Sequence, residues 1–235
     1  MVFIKNGIFM ADAAPSRKPL MHERWFFPCG LFDLLLAVEK DGLAASSARG
    51  RLPRFMSPAP LAAVFLDRDG TLMEEVHYCR DPEKVRLLPG VQAGLRALKA
   101  AGYRTVIITN QSGLGRGRIT LPEYQAVHQR LLALLGPGLI DGAYYCADVP
   151  GEPSTRRKPA PGMVLEAARD HGLDLGGSWF VGDKTIDVEC GRAAGARSIL
   201  VQTGYGRDES GVAAEFVAKD FACAVEFILK HPYAR

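Results

Sequence analysis

Leu61-Ala62-Ala63-Val64-Phe65-Leu66-Asp67-Arg68-Asp69-Gly70-Thr71-Leu72 decides how the rest of the chain is read. Its first six residues are an unbroken apolar run, which reads as a buried strand. The run stops at two carboxylates one residue apart, followed by Gly70 and Thr71. Side chains alternate along a strand, but a strand that breaks into a loop can turn both carboxylates toward one pocket. Gly70 permits the sharp exit that this needs. Two carboxylates in one pocket repel, so the pair needs a cation, or one member must hold a proton. Mg²⁺, with one Asp as nucleophile and the other as acid and base, answers both demands. The plain alternative is a strand end followed by an acidic turn, since turns also favour Asp and Gly.

Downstream, strand and helix signals alternate. Pro89–Ala101 reads as a helix with Val91, Leu95 and Leu98 on one face, stopped at Gly102. Tyr103–Thr109 is a second strand. Thr120-Leu121-Pro122-Glu123 is a capping box that opens a helix to Leu135. Ile140–Cys146 is a third strand, Gly162–His171 a helix, Ser178–Val181 a fourth strand, Thr185–Ala194 a helix and Ser198–Val201 a fifth strand. Phe221–Lys230 reads as a closing helix. This alternation predicts an α/β fold with a doubly wound parallel sheet, occupying residues 56–235.

Residues 1–55 read differently. They lack a sustained period and end in the turn-rich Ser46–Arg54, so they are expected to be a disordered or non-essential extension. The cluster Trp25-Phe26-Phe27 with Leu31-Phe32 is the one part that could pack as a short helix. The whole 235-residue chain has a net charge of +3. All of that excess lies in residues 1–55, which hold eight Lys/Arg against five Asp/Glu. The remainder is balanced, so no general nucleic-acid affinity is expected. No apolar run reaches bilayer-spanning length, and no membrane association is expected. Five scattered cysteines argue against a disulfide framework and for a reducing, cytoplasmic setting.

In a doubly wound sheet, sites form at the carboxyl ends of strands. Four such ends carry chemistry here: Asp67-x-Asp69, then Thr109-Asn110-Gln111, then Arg156-Arg157-Lys158-Pro159 in the loop after the third strand, then Gly182-Asp183-Lys184 with Asp187 one turn on. Each has an ordinary reading alone: a turn, a solvated charged face, or a helix cap. Their order at successive strand ends is what argues for a site.

On these motifs the chain resembles the haloacid dehalogenase superfamily of phosphohydrolases, over about residues 60–207. Leu87–Val91, Thr109–Gly113 with Arg116-Gly117, Arg157–Met163, Val181–Lys184 and Thr203–Gly206 narrow the resemblance to the heptose-1,7-bisphosphate 7-phosphatase and histidinol-phosphatase group. The Thr109–Gly117 and Tyr144–Cys146 segments lean toward the heptose branch. The resemblance implies that Asp67 attacks phosphorus and that Asp69 protonates the leaving oxygen and then activates water. It implies Mg²⁺ held by Asp67, the Asp69 carbonyl and Asp183. Thr109 and Asn110 would bind phosphoryl oxygens, and Lys158 would neutralise their charge. Gly70, Lys184 and Asp187 would support the site, with Asp187 orienting Lys158 or a metal-bound water.

The resemblance also implies a zinc loop, Cys-x-His and then Cys-x-Cys before Arg-Lys-Pro. Cys146 is present, but Asp148, Ser154 and Arg156 stand at the other three positions, so no zinc is expected. The intervals between strands leave no room for a large cap. An open site is expected, with Arg116, Arg118, Arg156 and Arg157 on its loops, and Arg116 and Arg157 as the candidates for a second phosphate. The substrate would be a small phosphorylated sugar, with histidinol phosphate as the alternative, and the enzyme a monomer. A receiver domain would not need the second carboxylate Asp69. A binding protein without catalysis would not need every catalytic position filled.

Overall fold

The computed structural model describes residues 2–5, 8–11 and 61–232. Two short strands come first, β1 (Val2–Lys5) and β2 (Ile8–Ala11). From residue 61 the order is β3 (Leu61–Leu66), α1 (Val91–Ala100), β4 (Arg104–Asn110), α2 (Ser112–Gly115), α3 (Leu121–Leu135), β5 (Gly142–Cys146) and α4 (Gly162–His171). It continues with β6 (Leu173–Gly182), α5 (Thr185–Ala193), β7 (Arg197–Val201), β8 (Phe216–Ala218) and α6 (Phe221–Lys230). The sheet has the order β1-β2-β5-β4-β3-β6-β7-β8. The six strands from β5 to β8 are parallel, and the β1–β2 hairpin is antiparallel to the β5 edge. The expected doubly wound α/β sheet is present.

The apolar run of β3 explains why the sheet is covered twice. Val64 and Leu66 face one core, with Val91, Leu95 and Leu98 of α1, Val127 and Leu131 of α3, and Phe221 and Ile228 of α6. Ala63 and Phe65 face the other, with Met163, Val164 and Ala167 of α4 and Cys190 of α5. All of these are buried. Burying one such large side chain is worth about 1.5–3 kcal/mol, so β3 is anchored from both sides and its carboxyl end is held rigidly.

Several boundaries differ from the sequence reading for identifiable reasons. β6 begins at Leu173, five residues before the expected Ser178. Its register against β3 shifts between Ala62 and Val64, where the Ser178 hydroxyl accepts the Ala63 amide at 2.9 Å. Gly176-Gly177 sits in that irregularity and reads as a loop in sequence. β8 spans three residues, too short for a periodic signal.

Between β3 and α1 there is only a 3-10 turn at Pro82–Lys84 and isolated bridges from Met73 to Asp69 and Leu87. The site is therefore without a large cap. β1 and β2 lie within the stretch expected to be an extension. The Trp25–Phe32 cluster, the Ser46–Arg54 segment and Met56 lie outside the described residues.

Candidate active site

β3 has the chain's parallel crossovers on either side: β4 and β5 lie to one side, β6, β7 and β8 to the other. This is the switch point of a doubly wound sheet, where a crevice opens beyond the strand ends. The cleft there has a volume of about 240 Å³ and is lined by Asp67, Asp69, Thr109, Asn110, Lys158, Lys184 and Asp187, among others. Four separate strand ends thus deliver their polar residues to one place.

Lys158 is the hub. It is buried, and its Nζ lies 2.6 Å from Asp67 Oδ1, 2.7 Å from Asp187 Oδ1 and 2.9 Å from the Ile108 carbonyl. Burial works against its charge, but the Asp187 and Asp67 carboxylates outweigh it and hold the ammonium protonated above the usual lysine range. Its backbone is fixed as well. Lys158 N–H donates to Asn110 Oδ1 and the Asn110 amide donates to the Lys158 carbonyl, both at 3.1 Å.

Asp69 is held from a different side. Arg68, itself buried, donates to both its oxygens at 3.0 Å, and Gln111 Nε2 donates to Oδ2 at 3.0 Å. The same Gln111 nitrogen donates to Thr109 Oγ1 at 2.9 Å. The two adjacent carboxylates are therefore separated by their partners: Asp67 belongs to a lysine, Asp69 to an arginine and a glutamine.

Asp183 is fully buried at the end of β6. Its Oδ2 accepts the Tyr205 amide at 2.8 Å, while its Oδ1 is buried without a hydrogen-bond partner among the described residues. Asp67, Asp183 and Asp187 bring carboxylate oxygens within 4.8 Å of one another. Burial, with the Asp67 and Asp187 carboxylates adding to it, raises the Asp183 carboxyl well above the ordinary range. A buried, partnerless oxygen beside further carboxylates is the donor set of a hard divalent cation. The residues fit such an ion.

They do not fit zinc at the loop after β5. Cys146 is buried, Asp148 accepts the Ser154 hydroxyl at 2.5 Å, and the Arg156 guanidinium pairs with Glu166 at 3.1 Å. One thiol, a carboxylate engaged elsewhere, a hydroxyl and a guanidinium do not form a tetrahedral N/S site.

The chain is similar to known proteins in both sequence and fold. The family model described as HAD-hydrolase-like matches residues 155–224. The D-glycero-D-manno-heptose-1,7-bisphosphate 7-phosphatase of Thermosynechococcus vestitus is 39% identical over 191 residues, covering 73% of this chain and 97% of the relative. The Chlorobaculum tepidum enzyme of the same name is 36% identical over 192 residues, covering 73% and 96%. The chain belongs to the haloacid dehalogenase superfamily. It is a phosphatase. The solved D,D-heptose 1,7-bisphosphate phosphatase of B. bronchiseptica, complexed with magnesium and phosphate, superposes with a TM-score of 0.68 at 32% identity, over 73% of this chain and 99% of that one.

Within this superfamily member the loop arginines are distributed unevenly. Arg116 is exposed at the end of α2, and neither it nor Arg157 lines the cleft. The Arg157 guanidinium donates to the Asp148 carbonyl at 3.0 Å. Arg118 stacks over Tyr78, a wall residue of the cleft, at 5.3 Å. Sequence reasoning passed over four site residues. Gln111 and Tyr205 lie inside quoted motifs but carry no charge to mark them. Arg68 occupies the intervening position of the Asp-x-Asp pair. Glu75, which lines the cleft and lies 3.6 Å from Lys184, sits in an interval with no motif at all.

Proposed function

We propose that this phosphatase removes the 7-phosphate of D-glycero-D-manno-heptose 1,7-bisphosphate through an aspartyl-phosphate at Asp67, with Mg²⁺ as cofactor. The observation that carries the chemistry is the convergence of Asp67, Asp69, Thr109 and Lys158 on one cleft, with the Asp183 carboxylate buried within 4.8 Å of that of Asp67. The substrate follows from the names of the relatives. Asp67, Asp183 and the Asp69 carbonyl would hold the metal, which when bound would orient phosphoryl oxygens and offset their charge.

In the first step an Asp67 carboxylate oxygen attacks phosphorus, and the bond from phosphorus to the sugar oxygen breaks. Asp69 gives its proton to that departing oxygen. Thr109 and Asn110 hold the equatorial oxygens and Lys158 neutralises their charge. In the second step Asp69 takes a proton from water as the water oxygen attacks phosphorus. Inorganic phosphate leaves and the Asp67 carboxylate is restored. Gln111 and Arg68 set where Asp69 stands.

The reading is of a monomeric cytoplasmic enzyme that takes a small phosphorylated sugar and engages neither nucleic acid nor membrane. Arg157, adjacent to Lys158, is the first candidate for the distal phosphate, ahead of Arg116. It would exchange the Asp148 carbonyl for the ligand.

Turnover on a panel of phosphorylated sugars and histidinol phosphate tests the substrate. Higher kcat/KM for the heptose bisphosphate is expected, and preference for histidinol phosphate rejects the assignment. Asp67→Asn should abolish turnover, and Asp69→Asn should slow it by about 10²–10⁴-fold. Arg157→Ala should cost the bisphosphate about 1.5–3 kcal/mol more than a monophosphate. Equal losses would place Arg157 with the reacting phosphate or the fold.

A further inference from the structure

The loop from the end of β5 to the start of α4 carries Lys158 but has no helix or strand of its own. One hydroxyl in it makes several contacts. Ser154 Oγ donates to Asp148 Oδ2 at 2.5 Å and accepts the amides of Arg156 at 3.2 Å and Arg157 at 2.9 Å. A serine hydroxyl has one proton and two lone pairs, so its capacity is full. Cys146 Sγ lies a further 3.9 Å from the same oxygen. These contacts join the two limbs of the loop. Cys146 and Asp148 belong to the outgoing limb. Arg156 and Arg157 belong to the returning one, directly before Lys158.

We infer that Ser154 is a positioning residue for catalysis: its hydroxyl, with Asp148, ties the loop closed without a metal and sets where Arg157 and Lys158 stand. The inference rests on the proposed role of Lys158 at the reacting phosphate. Three features support it. The Arg157 guanidinium also bonds to the Asp148 carbonyl, so Asp148 contacts both the hydroxyl and the returning limb. The Ser154 hydroxyl, first among several contacts, draws the Asp148 carboxyl below the ordinary range. On the far side Asn110 grips the Lys158 backbone, so that backbone is fixed between Asn110 and the Ser154 cluster. A lysine placed 2.6 Å from one carboxylate and 2.7 Å from another tolerates little displacement, and misplacement by about 1 Å can cost about 10²-fold in rate.

The test uses the full chain and three variants, Ser154→Ala, Ser154→Thr and Asp148→Ala. Each is assayed with heptose bisphosphate and with an aryl phosphate, alongside amide hydrogen exchange at residues 156 and 157. Ser154→Ala should lower kcat on both substrates by about 10–100-fold, with a smaller change in aryl phosphate KM and with faster exchange at both amides. Ser154→Thr, which keeps the hydroxyl, should restore both readouts, and Asp148→Ala should fall between. A zinc chelator should leave exchange in the wild type unchanged. Unaltered kcat and unaltered exchange in Ser154→Ala would overturn the inference, as would stoichiometric zinc at the loop. Loss of melting temperature with no selective fall in kcat would reduce Ser154 to a fold-stabilising residue and also overturn it. If the heptose bisphosphate proves not to be the substrate, the aryl phosphate and exchange arms still decide the role of Ser154.

Discussion

At the scale of single residues, the site depends on how closely backbone approaches Asp183. A Cβ added at Gly70 would lie 2.2 Å from Asp183 Oδ2, and one added at Gly204 would lie 2.2 Å from the same atom. Both glycines also hold positive φ, +82° and +51°. The Thr203 hydroxyl bonds to the Gly70 carbonyl at 2.6 Å and closes the two loops over the carboxylate. Gly204→Ala should therefore displace Asp183 as well as strain its own left-handed backbone. The expected outcome is a fall in kcat of about 10²-fold, matching the cost of misplacement by about 1 Å, together with weaker half-saturation by Mg²⁺. Wild-type metal dependence in that variant would show that Asp183 does not need this confinement.

At the scale of elements, α3 illustrates how local sequence sets an end. Thr120 Oγ1 accepts the Glu123 amide at 3.4 Å, and the Glu123 carboxylate accepts the Thr120 amide at 2.7 Å. The capping groups are themselves exposed, although Tyr124 in the same first turn packs against Arg68, the partner of Asp69. Thr120→Ala should lower unfolding free energy by about 1 kcal/mol, read from urea denaturation, with kcat unchanged. A large fall in kcat would mean that the loop from Gln111 to Ile119 depends on this cap to present Gln111.

At the scale of the molecule, the buried acidic cluster links folding to pH and metal. Burial comes first among the causes that raise Asp183, and burial also raises Asp187 despite its Lys158 partner. A folded acid held above its unfolded value keeps protons that the unfolded chain has released. This contribution therefore makes the metal-free protein lose stability as pH rises from the ordinary carboxylate range toward neutrality and beyond. A cation competes with those protons, so its stabilisation should grow with pH. The melting temperature measured at about pH 5 and about pH 8, with and without Mg²⁺, should show the larger metal increment at the higher pH. Equal increments would mean that the cluster does not titrate with folding.

The same scale includes the domain boundary. A chain beginning at Met56 is expected to fold and to keep a kcat near that of the full chain, because every site residue follows it. Its removal of β1 and β2 frees the β5 edge, which pairs through Gly142–Tyr144. Aggregation of that shortened chain would show that the hairpin or the Trp25–Phe32 segment is part of the folded core.

What the sequence determined by itself is the ladder of parallel elements and the residues at their carboxyl ends. Long apolar runs such as Leu61–Leu66, and helices with clear caps such as Leu121–Leu135, carry their period in a few adjacent residues. The exits at Asp67, Thr109 and Asp183 inherit their positions from those runs. Contacts that arise only when distant segments meet were not legible. Ser178 supports Ala63 across a bulge, Gly204 cages Asp183, and Gln111 is tied to Asp69. The same holds for the bond between Ser154 and Asp148, two residues that read in sequence only as lost zinc ligands. A neutral hydroxyl or amide has no periodicity and no charge to announce its partner. Its role is decided by which backbone groups the folded chain leaves within reach of it, and that is a property of tertiary structure alone.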